Sequence, residues 1–240
     1  MFLLMDEKGC TYLTTAEKDL HTKYGFVKAG EIKKTKPGEL VESNIGKKFR
    51  VLHPNFIDFM EKAKRGPQTI SLKDCGLIAA YTGVTSGSRV VDAGTGSGLM
   101  AMFLAHIVDP EILTTYEIRE DFAEIAKSNF EKFSIKNIKL KLKSIYEGIE
   151  EKNLDLVVLD LPEPWIVVEH VTKSLKVGAY LVSYSPSINQ SKKFYEELKK
   201  YNFTSETLEC VVRNWDLEKL RPHTRMLAHT GFITIARFLG

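Results

Sequence analysis

Apolar residues follow two different patterns along this chain, and the change falls near residue 66. Beyond it, short apolar runs alternate with longer segments whose apolar positions recur at helical spacing. The runs predict strands over 89–93, 112–117, 138–142, 154–160, 179–184, 205–212 and 232–238. The longer segments predict helices near 73–81, 97–106 and 121–133. Strands alternating with helices in this way predict a doubly wound α/β domain.

Before residue 66 the segments are short and frequently interrupted by Gly and Pro, as at Pro37-Gly38 and Gly66-Pro67. Stretches such as 48–52 fit strands, so this part predicts a small β-rich unit. We place the boundary so that residues 1–62 form the small unit and residues 63–240 form the α/β domain.

Composition and charge add a few limits. The chain has 240 residues and is 43% hydrophobic, enough for a buried core. We expect a cytoplasmic protein, because no apolar run approaches the roughly 20 residues that cross a bilayer. Residues 1–70 hold 13 Lys or Arg against 9 Asp or Glu, so the basic excess lies in the small unit. Such an excess suits phosphate contacts, although it is equally common on a solvated face.

The three cysteines are Cys10, Cys75 and Cys210. They are widely spaced and contain no CxxC pair, so the sequence predicts neither a structural zinc site nor a secreted disulfide framework. His223 and His229 lack Cys or His partners at a spacing suited to a metal. We therefore expect no metal, and the cysteines leave an intersubunit disulfide open.

A glycine-rich loop follows the strand at 89–93. It reads Asp92-Ala-Gly-Thr-Gly-Ser-Gly98, a GxGxG spacing that opens on an acidic residue. Dinucleotide enzymes use GxGxxG and bind a pyrophosphate, which Asp92 would repel. A cationic sulfonium ligand that bears an ammonium group suits the loop better, so we predict S-adenosyl-L-methionine as cofactor. The predicted loop contacts are Asp92, Gly94, Thr95, Gly96, Ser97 and Gly98.

Glu117 ends the next strand, where an acidic side chain can accept hydrogen bonds from ribose hydroxyls. The alternative interpretation makes Asp92 a helix N-cap and Glu117 a solvated strand end. Ser144 follows the third strand, at a position where a further acidic contact to the adenine is usual in such folds. We keep Ser144 as a predicted cofactor contact.

The segment Asp160-Leu-Pro-Glu-Pro-Trp165 follows the most apolar strand. Asp160 should therefore lie at the carboxyl edge of the sheet, beside the crevice where doubly wound folds bind ligands. A carboxylate there can hold the exocyclic amine of adenine while N1 is methylated, and it can also contact the cofactor. We predict Asp160 as the catalytic residue, with capping as the alternative. For Trp165, packing is the better interpretation than stacking on a base.

At this point the sequence resembles the tRNA adenine-N1 methyltransferases that modify the T-loop. The resemblance covers nearly the whole chain and is carried by four blocks: 65–74, 91–98, 159–165 and 221–232. It implies a Rossmann-like class I methyltransferase sheet with a small β-rich N-terminal domain, a homotetramer, and methylation of adenosine 58, with adenosine 57 also modified by archaeal members. It supports Asp160 as the carboxylate that holds the adenine, and it adds Gln68 as a cofactor contact near the methionine end. It also supports these cofactor contacts: Asp92, Gly94, Gly96, Ser97 and Glu117. The chain departs from the family pattern at Ser71-Leu72, where Tyr-Pro is usual, and at Ser144.

Further substrate contacts are predicted near the C-terminus. His223, Arg225 and His229 lie in a polar segment before the last strand, which suits a rim for tRNA or a subunit contact. Tyr184 follows the fifth strand and either stacks on the flipped base or packs in the core. Phosphate contacts are also expected from basic residues on or near a late helix, namely Lys192, Lys193, Lys199 and Lys200.

Three other functions compete with this interpretation. A small-molecule methyltransferase would share the cofactor loop but has no need of the basic N-terminal unit. A non-catalytic tRNA-binding subunit would be expected to lose the glycine loop and Asp160, which are intact here. A nicotinamide dehydrogenase would show the GxGxxG spacing.

Overall fold

The computed structural model describes residues 1–66, 69–226 and 228–240. The chain divides into two compact units, Met1–Ala63 and Lys64–Gly240. The boundary expected from sequence lies one residue earlier, after residue 62.

In the first unit, antiparallel strands form a four-stranded sheet of order β2-β1-β6-β5, and β3 pairs with β4 in a separate hairpin. Its elements are β1 (Phe2–Asp6), β2 (Thr11–Thr14), β3 (Leu20–Thr22), β4 (Gly25–Val27), α1 (Ala29–Lys34), β5 (Leu40–Glu42), β6 (Lys48–Leu52) and α2 (Phe56–Lys62). Alternating side chains of β1 and β6 face a small core that includes Leu4, Phe49 and Val51. This unit is β-rich, and its core is built by the period-two alternation typical of half-buried strands.

The second unit is built on a seven-stranded sheet in the described part of the chain. Its first half contains α3 (Leu72–Thr82), β7 (Val90–Ala93), α4 (Leu99–Val108), β8 (Leu113–Glu117), α5 (Glu120–Lys132) and β9 (Ile138–Leu142). A 3₁₀ turn (Ile145–Glu147), β10 (Leu154–Leu159) and a second 3₁₀ turn (Pro164–Val167) follow. The remainder contains α6 (Val168–Thr172), β11 (Leu175–Ser185), α7 (Ile188–Leu198), β12 (Phe203–Glu209), β13 (Trp215–Asp216), β14 (Arg221–Pro222) and β15 (Phe232–Phe238).

The strand order of the large sheet is β12-β15-β11-β10-β7-β8-β9. Strands β11, β10, β7, β8 and β9 are parallel, and β15 is antiparallel to β11 and β12. Strands β8 and β9 lie on one side of β7, and β10 and β11 lie on the other, so the strand order reverses at β7. Ligands bind outside the carboxyl ends of the strands at such a switch point. The parallel sheet with helices matches the predicted fold class.

Most predicted strands agree with the structure to within a few residues, because their apolar runs are buried. Strand β10 is the clearest case, with five of its six residues buried. The predicted strand 179–184 is longer in the structure, where β11 begins at Leu175. The predicted strand 205–212 was wrong at its end, because β12 stops at Glu209 where its partner β15 begins at Phe232.

Candidate functional site

The glycine loop is shaped by its close neighbours. Gly94 and Gly98 have φ angles of +84° and +82°, in the left-handed region that favours glycine. A Cβ atom on Gly94 would overlap the backbone carbonyl of Asp160, and one on Gly98 would overlap the ring of Phe130. Gly94 therefore lets the loop that follows β10 approach the glycine loop. Gly98 lets α5 pack against the start of α4.

One backbone carbonyl of strand β8 accepts three hydrogen bonds from the loop. The carbonyl oxygen of Tyr116 accepts hydrogen bonds from the backbone N–H of Gly94 (3.0 Å), the backbone N–H of Thr95 (3.2 Å) and the hydroxyl of Thr95 (3.0 Å). The Thr95 hydroxyl also lies 2.6 Å from that of Thr115. Thr95 is thus turned toward β8, and its side chain supports the loop.

Two buried polar atoms at the loop lack a hydrogen-bond partner among the residues that the structure describes. Asp92 is buried, and its Oδ2 accepts a hydrogen bond of 2.6 Å from the hydroxyl of Thr115. Among the described residues, Asp92 Oδ1 and Ser97 Oγ have no hydrogen-bond partner. Unpaired buried polar atoms are costly, so their presence at a loop of this shape points to a ligand. Helix α4 is capped by Gly98, which excludes the N-cap interpretation of Asp92.

Glu117 is held by backbone groups. Its Oε2 accepts a hydrogen bond from Gly96 N–H (2.8 Å), and its Oε1 accepts from Ile118 and Arg119 N–H (both 2.9 Å). The side chain is 6% exposed, so it is not a solvated strand end. Its carboxylate is oriented before any ligand arrives, and its spare lone pairs remain available as acceptors.

Asp160 directly follows β10 and lines the same cavity as Glu117 and the glycine loop. Burial raises the pKa of Asp160 to about 7, and the charges of Asp92 and Glu117 act in the same direction. Burial also raises the pKa of Asp92 to about 6, where Glu117 adds to the shift and the Thr115 hydrogen bond opposes it. Three carboxyl groups therefore share a site that favours a cation.

The loop that carries Asp160 is supported from two sides. The carbonyl of Pro162 accepts a hydrogen bond of 3.0 Å from the side-chain amide of Gln190, and Glu163 N–H donates to the hydroxyl of Tyr146 (3.2 Å). Trp165 packs partly buried against the core, as its packing interpretation predicted. Asp160 N–H donates to the carbonyl of Ala93 (2.8 Å), which ties this loop to the glycine loop.

These groups surround a cavity of about 330 Å³. Five predicted residues line it: Gly94, Gly96, Glu117, Ser144 and Asp160. Asp92, Thr95, Ser97 and Gly98 belong to the same loop but are not among the residues that line this cavity. The remaining lining residues, which the sequence interpretation did not single out, are Tyr116, Ile118, Arg119, Phe122, Lys143, Ile145, Tyr146, Leu161 and Pro162. Six of them directly follow a predicted residue at the end of a strand, and that position in the sequence was the signal that could have predicted them: Ile118, Arg119, Ile145, Tyr146, Leu161 and Pro162.

Ser144 has a local structural role. Its hydroxyl accepts a hydrogen bond of 3.2 Å from Tyr146 N–H and caps the 3₁₀ turn at Ile145–Glu147. The turn brings Tyr146 to the cavity, where Ile118, which directly follows β8, is 65% exposed. The wall near Ser144 therefore offers apolar and aromatic faces to a flat ring.

Tyr184 lies on β11 and is level with Asp160, which directly follows the neighbouring strand β10, since Ser183 pairs with Leu159. Its ring is 3% exposed, and its hydroxyl donates to the carbonyl of Thr230 (2.6 Å). This environment favours the packing alternative over stacking on a base.

The other predicted substrate contacts lie in the segment between β12 and β15. His223 and Arg225 are in this segment and line a shallow cavity of about 300 Å³ together with Lys219 and Arg221. His229 is exposed, and its Nδ1 lies 2.5 Å from Glu209 Oε1, which raises the pKa of the imidazole. These side chains remain accessible at the carboxyl edge of the sheet.

Gln68, the remaining predicted cofactor contact, lies outside the described residues. Within the described ranges, no group of three or more His, Cys, Asp or Glu is arranged to hold a metal ion. Over the same ranges, no helix is both long and apolar enough to cross a membrane.

Comparison with known proteins identifies the family. The family described as "tRNA methyltransferase complex GCD14 subunit" matches residues 63–227. A curated relative from Methanocaldococcus jannaschii, tRNA (adenine(57)-N(1)/adenine(58)-N(1))-methyltransferase TrmI, is 35% identical, in a match that covers 98% of this chain and 94% of the relative. The chain belongs to the tRNA adenine-N1 methyltransferase family. The family resemblance predicted from sequence is therefore confirmed.

Solved structures agree with this tRNA adenine-N1 methyltransferase fold. A crystal structure described as a SAM-dependent O-methyltransferase from Thermotoga maritima is 33% identical, with a TM-score of 0.92 over 100% of this chain and 92% of that chain. The tRNA (m1A58) methyltransferase TrmI from Aquifex aeolicus is 27% identical, with a TM-score of 0.86 over 100% and 96% of the two chains. The predicted fold is confirmed, and S-adenosyl-L-methionine is the methyl donor of this enzyme family.

Proposed function

We propose that this protein methylates N1 of adenosine 58 in the T-loop of tRNA, with adenosine 57 as a second target. One observation in the site carries the proposal. Asp160 lies at the carboxyl edge of the sheet, fixed against the glycine loop and lining the cavity that Glu117 also faces. Membership in the tRNA adenine-N1 methyltransferase family and the substrate named for the Methanocaldococcus jannaschii relative support the choice of tRNA.

The residues present fit the cofactor. Over the described part of the chain, Asp92 Oδ1 (an acceptor) and Ser97 Oγ (a hydroxyl) have no partner, and they lie at a loop whose glycines permit close backbone approach. We assign Asp92 to the cationic methionine end and Glu117 to the ribose hydroxyls, with Gly94 and Gly96 as the backbone cradle. When bound, S-adenosyl-L-methionine supplies an electrophilic methyl group on a sulfonium centre.

The chemistry left to the protein is orientation and charge stabilisation. N1 of adenine has a free lone pair, and its methylation makes the ring cationic and its exocyclic amine more acidic. The Asp160 carboxylate accepts a hydrogen bond from that amine, which orients the base and stabilises the developing positive charge. The same group is then placed to take up the proton that the amine loses. For this role Asp160 must be ionised.

The adenine must first leave the tRNA tertiary fold, because N1 lies on its Watson–Crick edge. Unstacking and flipping a base cost a few kcal/mol, which binding elsewhere must offset. The exposed basic residues near β13 and β14 offer phosphate contacts at the edge of the sheet that holds Asp160: Arg213, Lys219, Arg221 and Arg225. We also assign phosphate contacts to the basic N-terminal unit, a homotetramer as the working assembly, and the cytoplasm as location.

A second candidate is methyl transfer to a small hydroxylated molecule. The name of the Thermotoga maritima structure, an O-methyltransferase, favours it. The exposed basic segment at the carboxyl edge favours tRNA, because a small substrate needs no extended cationic surface. A non-catalytic subunit is disfavoured because the glycine loop, Glu117 and Asp160 are all assembled in one site.

The deciding experiment incubates the purified protein with labelled S-adenosyl-L-methionine and unmodified tRNA transcripts. Nucleoside mass spectrometry and site mapping should show 1-methyladenosine at position 58, and at 57 where that position is adenosine. A transcript with adenosine 58 changed to guanosine is the matched control and should lose the label at that position. Label on another atom, or only on added small hydroxylated molecules, would overturn the assignment.

A further inference from the structure

The segment between β12 and β15 lies outside the seven-stranded sheet. We call it the arm, and it consists of residues 210–231, of which Leu227 is not described. Because β15 runs antiparallel to β11 and β12, the arm leaves and re-enters the sheet at the carboxyl edge, where Asp160 lies. It carries the short β13–β14 ribbon and the exposed basic residues assigned above to tRNA.

Both ends of the arm meet at one side chain. Lys73 Nζ donates a hydrogen bond to the carbonyl of Cys210 at the start of the arm (2.7 Å) and to the hydroxyl of Thr230 near its end (2.7 Å). Its third partner is Asp74 Oδ1, also at 2.7 Å. All three donors of the ammonium group are thus used, and two of them hold segments of the arm that are distant in sequence.

Asp74 holds Lys73 and Thr230 in place through its own hydrogen bonds. Its side chain is fully buried, and its Oδ2 accepts hydrogen bonds from the hydroxyls of Ser71 and Thr230, both at 2.8 Å. A buried carboxylate is tolerated only when paired and hydrogen-bonded, so these contacts depend on each other. Thr230 both donates to Asp74 and accepts from Lys73, so its hydroxyl closes the network.

A second contact fixes the same end of the arm. The carbonyl of Thr230 accepts a hydrogen bond from the hydroxyl of Tyr184 (2.6 Å), and a Cβ atom on Gly231 would overlap the Tyr184 ring. Tyr184 is level with Asp160, which directly follows the adjacent strand β10. The position of the arm is therefore tied to the strand next to the one that carries Asp160.

We propose that Lys73 and Thr230, with Asp74, form a clamp that fastens both ends of the arm at the edge of the active site and so positions it for tRNA. The clamp residues are positioning residues that do not touch cofactor or base. The fastening of the arm does not depend on the proposed function. Its positioning for tRNA does, because that part takes tRNA as the partner of the arm.

The test uses Thr230→Val, which keeps the shape of the side chain and removes both hydroxyl contacts, and Thr230→Ser, which restores the hydroxyl. Thr207→Val is the matched control, since it removes a hydroxyl contact of 2.9 Å to Thr234 between β12 and β15 outside the clamp. We expect Thr230→Val to raise KM for tRNA about tenfold while the Kd for S-adenosyl-L-methionine stays within twofold. Thr230→Ser and Thr207→Val should resemble the parent protein.

Limited trypsin digestion of the tRNA-free proteins gives a readout that does not depend on the proposed function. Cleavage after Lys219 and Arg225 in the exposed arm should be several-fold faster in Thr230→Val than in Thr207→Val. Unchanged cleavage and unchanged KM would overturn the clamp. So would a loss of cofactor affinity and thermal stability as large as the effect on tRNA, because the role would then be general folding. Faster cleavage with no methylation of tRNA by the parent protein would support the clamp and reject tRNA as substrate.

Discussion

The backbone carbonyl of Asp160 occupies the space that any side chain on Gly94 would need. The catalytic candidate and the cofactor loop are therefore in direct contact through their backbones. Because Asp160 N–H also donates to the carbonyl of Ala93, the two loops cannot separate without breaking a hydrogen bond. Positioning of base and cofactor depends on the same few atoms.

This contact predicts the effect of Gly94→Ala. The left-handed φ costs an alanine about 1–2 kcal/mol, and the added methyl group must also displace the Asp160 loop. We expect methylation to fall at least about 100-fold, because small displacements of reacting groups have effects of this order. Kinetics and calorimetric titration of the cofactor measure the change.

Gly83→Ala is the matched control. Gly83 has a similar φ of +64°, but apart from its own chain neighbours and helix backbone no atom of the described residues lies within 4 Å of its Cβ position. It should lose comparable stability in urea unfolding and keep its activity per folded molecule. Equal activity losses in the two variants would show that backbone strain, and not contact with Asp160, is responsible.

Asp160→Asn keeps the size of the side chain and removes its charge. We expect kcat to fall about 100- to 1000-fold, the range seen when a preorganised electrostatic contact is removed. The pKa of Asp160 is raised to about 7 by burial and by Asp92 and Glu117, so the carboxylate form is lost below that pH. For the parent protein, kcat/KM for the cofactor should rise with pH through about 7 and level off above it.

The variant should lose this inflection. Asp155→Asn is the control on the same strand, since Asp155 accepts Arg89 N–H and pairs with Lys176 away from the cavity. Its pH profile should match that of the parent protein. An inflection that persists in Asp160→Asn would assign the titration to another group.

Asp92→Asn should affect affinity and stability in opposite directions. The amide removes a negative charge from the cation site, so the Kd for S-adenosyl-L-methionine should rise about 10- to 100-fold. The pKa of Asp92 is raised by burial to about 6, so the folded protein binds the proton more tightly than the unfolded chain. The stability that protonation provides is complete below the ordinary pKa near 4 and is lost as pH rises through 6.

The ligand-free variant should therefore be more stable than the parent protein at pH 8, by up to about 3 kcal/mol, and this gain should disappear near pH 4. Urea unfolding at several pH values measures it. A variant that is less stable at pH 8 would show that the Thr115 hydrogen bond to Asp92 outweighs burial of the charge.

Charge reversal in the arm tests its role toward tRNA. Arg221→Glu and Arg225→Glu should each raise KM for tRNA about tenfold at low salt and leave KM for the cofactor unchanged. The slope of log affinity against log salt should fall by about 0.7–0.9 for each phosphate that the variant no longer neutralises. Lys139→Glu on the far edge strand β9 is the control, and an equal effect there would show that overall charge, not the arm, attracts tRNA.

Much of the site was predictable from sequence because the signals are local. The apolar runs placed Asp92, Glu117 and Asp160 within one residue of the carboxyl ends of their strands, and parallel strands bring such ends to one edge. The glycine spacing then indicated a cradle. These inferences depend on residues that are neighbours in sequence.

Other features depend on contacts between distant segments, which no local pattern reveals. Thr95 faces the carbonyl of Tyr116 on β8, so its polar groups support the loop. Gly98 is needed because Phe130 on α5 packs against it. Tyr184 is buried because Thr230 and Gly231 close over it.

The sequence by itself determined the α/β class, the cofactor loop and the carboxylates at the strand ends, because periodicity and residue type decide which groups reach the edge of a parallel sheet. Only the tertiary structure decided what holds them there. Lys73 meets Cys210 and Thr230 across 137 and 157 residues. A contact of that separation exists only after the sheet has brought the two ends of the arm together.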